Sequence, residues 1–300
     1  MKFAIYQTSR QGGRQYNQDR VAYAYSRDAL LMVVADGMGG HFHGEVAAQI
    51  AVELIADSFR KQAQPTLRDP LAFLKASMEN AHEAIDNYAK ERHLSDHPRT
   101  TCVACVVQQD VAYWAHVGDS RLYFFRYGKL LTRTRDHSRV QMLFDQGRIS
   151  EAQMNTHPER NKIYNCLGGD FPPDVELSAR LPLVDGDKLL LCSDGLWGML
   201  AVNEIASILE AYPLQHAIEE LLNHAEYRAG QGSDNLSGVG LAWGEQGQAV
   251  NPAAISTAVM SRNAVSTQMQ GFQADAAAFG NEDIEQAISE IQAAIKKYSK

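Results

Sequence analysis

Basic charge is scarce in this chain. Lysine and arginine number 28 against 36 aspartates and glutamates, a formal net charge of −8, so the overall field gives nucleic acid no reason to gather. Long apolar runs are also missing. The longest are short, such as residues 30–35, whereas a membrane span needs about 20. The opening residues, MKFAIYQTSR, lack the apolar stretch and small-residue cleavage site of a secretory leader, and the expectation is a cytoplasmic protein. Cysteine is limited to Cys102, Cys105, Cys166 and Cys192. The first two form a C-x-x-C inside TCVACVV, a β-rich run. Strand side chains alternate, so residues three apart face opposite sides. That excludes joint chelation or a mutual disulfide and predicts buried core thiols.

What remains is a chain of 300 residues, 45% hydrophobic, enough for one large domain or two small ones with a substantial core. Up to about residue 244, short runs rich in Val, Leu, Tyr and Cys predict strands at 3–6, 30–35, 101–107, 111–117, 122–126, 188–192 and 236–243. Several lie only a few residues apart, as in VVQQDVAYW, which favours antiparallel hairpins over βαβ crossovers. Helical periodicity marks residues 45–60 and 70–92, and a third helical region spans 202–209 and 213–227. Meandering strands with long amphipathic helices predict an α+β sandwich, with sheets packed together and helices outside. Residues 245–280, rich in Ala, Gln, Ser, Asn and Gly, read as a flexible linker. Residues 281–300 read as an amphipathic helix, striped by Ile284, Ile288, Ile291 and Ile295. Acids open it and Lys296 and Lys297 close it, as the helix dipole favours. That helix could dock on the domain or serve as a partner-binding tail.

The chemistry sits where predicted strands end. LLMVVA runs into Asp36-Gly37, YWAHV into Gly118-Asp119, and KLLLCS into Asp194-Gly195; Asp234 precedes LSGVGLAW, and Asp19 precedes another short β-like run. One Asp-Gly beside a strand is an ordinary turn signal. Five carboxylates at strand ends are different if those ends meet at one rim. Like charges would then collect at a cost of several kcal/mol, which a divalent cation relieves. Oxygen ligands without a His or Cys set select hard ions such as Mg2+ or Mn2+. Two such ions can bridge and acidify a water, and an arginine can hold phosphate oxygens in a fork; Arg14, five residues before Asp19, is the candidate.

The ordered segments GGRQYNQD, VADGMGGHFHGEVAA, RTT, HVGDSRLYFFRYGKL, residues 136–169 starting DHSRV, LLCSDGLWGML and GSDNLSGVGL resemble the bacterial branch of the metal-dependent protein phosphatases of type 2C. The resemblance spans residues 3–243. It implies a β-sandwich of two antiparallel sheets flanked by helices on both sides. It further implies hydrolysis of phosphoserine and phosphothreonine on proteins by a metal-bridged hydroxide, at a Mn2+ or Mg2+ site of two ions with a third position. Asp36 would bridge two ions with the Gly37 carbonyl joining one, Asp194 and Asp234 would bind the first, and Asp19 would lie near the second. Asp119 with Asp194 would form the third position, Arg14 would bind phosphate, and residues 136–168 would be a mobile flap beside the cleft. Met38 stands where many eukaryotic members carry an acid histidine, and Gln18 where some carry a glutamate ligand. The expected partners are phosphorylated Ser/Thr proteins and a Ser/Thr kinase whose action is reversed, with no nucleic acid.

Two other classes fit parts of the chain. A regulatory module could bind phosphoproteins without turnover, but the complete carboxylate set counts against it. A small-molecule phosphatase would share the metals, yet no base-stacking or sugar-binding signature is present. His41, His43, His116 and His137 each adjoin a motif without a metal-ligand spacing, and a structural or surface role is expected for each.

Overall fold

The computed structural model describes residues 1–38, 43–154, 156–244 and 254–270. Three strands, β1 (Lys2–Arg10), β2 (Asp19–Tyr25) and β3 (Ala29–Met38), lead into two long helices, α1 (His43–Gln62) and α2 (Pro70–Glu91). A meander follows: β4 (Arg99–Thr100), β5 (Cys102–Gln108), β6 (Val111–Val117), β7 (Arg121–Arg126) and β8 (Lys129–Arg133). Short elements come next, α3 (Arg139–Asp145), α4 (Glu151–Met154), β9 (Glu176–Leu177) and β10 (Leu181–Pro182). The domain closes with β11 (Lys188–Cys192), α5 (Asp194–Trp197), α6 (Val202–Ala211), α7 (Leu214–Ala229) and β12 (Leu236–Trp243), then β13 (Ala254–Ser256) and β14 (Ser266–Gln270).

The strands form two sheets, ordered β13-β1-β12-β11-β7-β8 and β10-β6-β5-β3-β2-β14, with β4 on β3 and β9 on β6. Each pairing is antiparallel. Three apolar clusters show the layering. Phe3, Val34, Cys105, Phe124, Leu191 and Leu241 meet between the sheets. Leu31, Val33, Ile50, Phe59, Leu74 and Met78 fill the space under α1 and α2. Tyr123, Leu190, Leu209, Ile218 and Leu222 fill the space under α5, α6 and α7. The layers are therefore helix, sheet, sheet, helix, as expected.

This layering explains why LLMVVA is apolar throughout instead of alternating. Leu30, Met32 and Val34 enter the inter-sheet core, while Leu31, Val33 and Ala35 face the helices, so β3 is buried on both faces. The cysteine expectation holds for the same reason: Cys102 faces the helices, Cys105 the opposite sheet, and both are free thiols. Helix α2 starts sharply because Asp69 accepts hydrogen bonds from the Leu71 and Ala72 amides, both at 3.1 Å, and Pro70 occupies the first turn.

One reading needs correction. Residues 254–270 fall inside the stretch read as a flexible linker, yet they carry two strands. Strand β13 pairs with β1 and β14 with β2, one on each sheet. Backbone pairing to an exposed sheet edge needs little apolar side-chain content, so a polar composition did not announce it. The predicted helix at 281–300 lies outside the described residues.

Candidate metal centre

The antiparallel order brings the ends of β1, β3, β6 and β11 and the starts of β2, β5, β7 and β12 to one end of the sandwich. Asp19 opens β2 directly opposite Asp36 near the end of β3. Asp194 follows β11, Asp234 precedes β12, and Asp119 sits in the turn from β6 to β7. Two sheets thus deliver five carboxylates to one rim. Close backbone approach shapes it. A Cβ on Gly37 would lie 2.2 Å from the Gly44 carbonyl oxygen and 2.8 Å from that of Gln18, so only glycine lets β3 meet the first turn of α1 there. Gly118 adopts φ +100°, the conformation that turns the chain into Asp119.

The carboxylates act on one another. Desolvation, then the charges of Asp19, Asp194, Asp119 and Asp234, hold Asp36 well above the usual carboxylate range. Asp194, near enough to Asp36 to share a hydrogen bond, is pushed up to about 7 by desolvation and then by Asp234 and Asp19. Asp19 is pushed up to about 6 by burial, against hydrogen bonds from Ser193 and Ser237 that favour its charged form. Asp119 is also well above the usual range, through burial and then Asp194. Asp19 and Asp119 are 0% and 4% exposed, yet Oδ1 of each has no hydrogen-bond partner. Such orphaned buried oxygens are costly unless a cation uses them. The donor set is oxygen only, which suits Mg2+ or Mn2+, so the residues present fit the ions that the resemblance implies.

Arg14 reaches the same rim. Its Nη2 donates to Asp234 Oδ2 at 2.6 Å, and the side chain stays 58% exposed. Its pKa is raised, first by that hydrogen bond and further by the charges of Asp234, Asp194 and Asp36. Asn235 ties down the surrounding loop. Its Nδ2 donates to the Gln11 and Tyr16 carbonyls, and its Oδ1 accepts from the Gln18 amide. Asn235 was missed in the sequence, as were Ser193, whose hydroxyl donates to Asp19 Oδ2 at 2.7 Å, and Trp197. All three lie inside the motifs already singled out, and only their partners reveal their task.

His116, His137 and Glu176 form a second cluster, with donor atoms within 4.8 Å of one another. The two imidazoles stack, with centroids 4.6 Å apart and planes at 20°. A ring nitrogen offers its lone pair in the ring plane, so two stacked rings do not aim at one ion. Their hydrogen bonds describe a buckle instead. His116 Nε2 donates to the Arg135 carbonyl at 2.7 Å, and His137 Nδ1 accepts from the Gly118 amide and from Asn165. These contacts give both histidines a structural part, although the sequence spacing had not shown that they meet; His41 lies outside the described residues.

An antiparallel sandwich with an all-carboxylate rim beside an arginine has the parts that a metal-dependent hydrolase of phosphate esters requires. The family described as protein phosphatase 2C matches residues 6–239, and the chain belongs to it. It is 33% identical over 210 residues to the serine/threonine phosphatase stp of Listeria monocytogenes, covering 69% of this chain and 83% of that protein. The Streptococcus agalactiae serine/threonine phosphatase superposes with a TM-score of 0.72 at 29% identity, over 80% of this chain and 99% of that one. The catalytic domain of the phosphatase PstP, solved with two manganese ions, gives 0.68 at 29% identity, over 80% and 98%. The chain is thus a metal-dependent protein serine/threonine phosphatase. Among the described residues no helix is long and apolar enough to cross a membrane.

Proposed function

We propose that the rim holds two Mn2+ or Mg2+ ions, with a third position, and that it hydrolyses phosphoserine and phosphothreonine on proteins modified by a Ser/Thr kinase. The observation that carries this reading is the convergence of four carboxylates on Asp36, two of them with buried oxygens that lack a partner. Asp36 feels the charges of the other four and would be shared by two ions, with the Gly37 carbonyl on one of them. Asp194 and Asp234 would hold the first ion, Asp19 the second, and Asp119 with Asp194 the third.

When bound, the ions supply a water acidified enough to attack phosphorus and positive charge against the phosphoryl oxygens. The protein supplies position. Arg14 exchanges a carboxylate partner for substrate phosphate, gripping it with the same planar fork. Its exposure lets a protein-borne phosphate reach it. Among the described residues at the rim, the Ser193 hydroxyl is committed to Asp19 and to the Ser237 amide, burial drives the Cys192 thiol far up from its usual range, and the carboxylates would be taken up by the ions. Direct attack by water follows. Met38 has no proton to give, so the residue at that position does not serve as the acid for the leaving oxygen.

The test is phosphate release from a phosphothreonine peptide by metal-stripped protein, with and without added Mn2+. Release that needs Mn2+, and is faster on phosphopeptides than on nucleotides, supports the reading. Tight peptide binding without release from folded, metal-loaded protein refutes it.

A further inference from the structure

Asp119 is a rim carboxylate with little side-chain support. It follows a glycine at φ +100°, and its Oδ1 has no partner. Its backbone is held from outside: Trp197 Nε1 donates to the Asp119 carbonyl at 2.9 Å. Trp197 closes α5, whose first residue is Asp194, so one short element carries a rim carboxylate at one end and this hydrogen bond at the other. The indole is itself clamped. The Arg121 guanidinium, itself buried, lies 3.4 Å from the ring centroid of the half-buried Trp197, and desolvation of the cation strengthens such a contact. Arg121 is fixed in turn by a fork to Asp136, Nε at 2.8 Å and Nη2 at 2.7 Å, and by a bond from Nη1 to the Tyr123 hydroxyl at 2.9 Å. Asp136 is 2% exposed and Arg121 8%.

We propose that Asp136, Arg121 and Trp197 are positioning residues, a relay that sets the indole N–H against the Asp119 carbonyl and so fixes where the Asp119 carboxylate is offered to an ion. This inference rests on the reading of Asp119 as an ion ligand. Outer partners that orient a ligand commonly change metal affinity 10–100-fold when removed. An isolated surface ion pair would have no such effect, but this chain of contacts starts on the buried Arg121–Asp136 pair, passes through the half-buried Trp197 and ends on the ligand's own peptide.

The experiment is a Mn2+ titration of the metal-stripped full chain, followed by calorimetry and by the electron paramagnetic resonance of free Mn2+, with a melting curve for each variant. Trp197→Phe keeps an aromatic face under Arg121 and deletes the donor. The expected result is about a tenfold loss of affinity in one class of Mn2+ sites, with the other classes within about twofold. Arg121→Lys retains charge opposite Asp136 but loses the fork and the flat stack, and provides the second variant if Trp197→Phe does not fold; the same class of sites should weaken. Asp119→Asn separates the two ideas. If it abolishes one class of sites while both relay variants bind Mn2+ like wild type and only melt lower, the relay is wrong and the residues are merely structural. If Asp119→Asn leaves the whole titration unchanged, the assignment of Asp119 as a ligand falls instead.

Discussion

At the aspartate rim, side chains repel one another and two buried oxygens are left without partners. At the histidine pair, joined to the rim through Gly118, most polar atoms are served. His116 donates to a carbonyl, His137 accepts from two donors and its Nε2 faces Glu176 at 3.3 Å. Only His116 Nδ1 has no partner. Both clusters gather titratable groups away from water, so burial alone does not separate a ligand set from a structural one. The sign of the mutual interaction and the direction of the lone pairs do. Repulsion that Arg14 offsets only in part points to a missing cation, whereas the stacked pair, His116 Nδ1 apart, satisfies itself with hydrogen bonds.

The largest test of that contrast is Asp36→Asn. It removes the carboxylate on which the other four converge, and kcat should fall by about a thousandfold or more. The metal-free variant should melt at the same temperature as the parent or higher, because a repelling charge has gone. An Asn variant with normal turnover would sink the mechanism.

The next test is pH. Asp19 and Asp194, pushed up to about 6 and about 7 from 3.8, bind protons in the folded metal-free protein that the unfolded chain has released. Their contribution is fully present below about pH 4 and is lost as pH rises through 6 to 7. Metal-free protein should therefore lose stability across that window in a denaturant titration at each pH. Saturating Mn2+ should reverse the trend, since ions bind the ionised carboxylates of the folded state. A metal-free stability that rises from pH 4 to 7 would show that the rim is not a repelling cluster.

His116→Ala probes the other side of the comparison. It deletes a buried ring and its bond to Arg135, so a loss of about 2 kcal/mol is expected. The Mn2+ titration should stay within about twofold of wild type. A lost ion would mean that the pair is a ligand set after all.

Much of this was legible beforehand because strand ends and carboxylates coincide along the chain. Asp19, Asp36, Asp119, Asp194 and Asp234 meet at one rim, and the two-sheet sandwich has helices on both faces. Three features were hidden for physical reasons. β13 and β14 pair through backbone, which leaves no periodic apolar signal. The stacking of His116 on His137 depends on the register between β6 and the loop after β8, which spacing along the chain does not reveal. The hold of Trp197 on Asp119 spans two sheet connections, and a tryptophan in LLCSDGLWGML reads equally well as core.

The finest test concerns Ser193, the residue between β11 and Asp194. Its hydroxyl donates to Asp19 Oδ2 at 2.7 Å and accepts from the Ser237 amide at 3.1 Å. Asp19 Oδ1 has no partner, so Ser193 orients the carboxylate and leaves one oxygen for an ion. Ser193→Ala removes that orientation without changing charge, and it also leaves the Ser237 amide unpaired. One hydrogen bond to a charged acceptor is worth about 1.5 kcal/mol, of which only the part that differs between ion-free and ion-bound forms reaches the affinity. Mn2+ binding at the Asp19 side should weaken about fivefold, less than for Trp197→Phe, because Asp19 is also held by β2 opposite Asp36. Asp19, having lost a bond that favours its charged form, should titrate higher, which steepens the pH dependence of Mn2+ binding below neutrality. Equal Mn2+ affinity at pH 6 and pH 8 in both proteins would show that Asp19 does not compete between proton and ion.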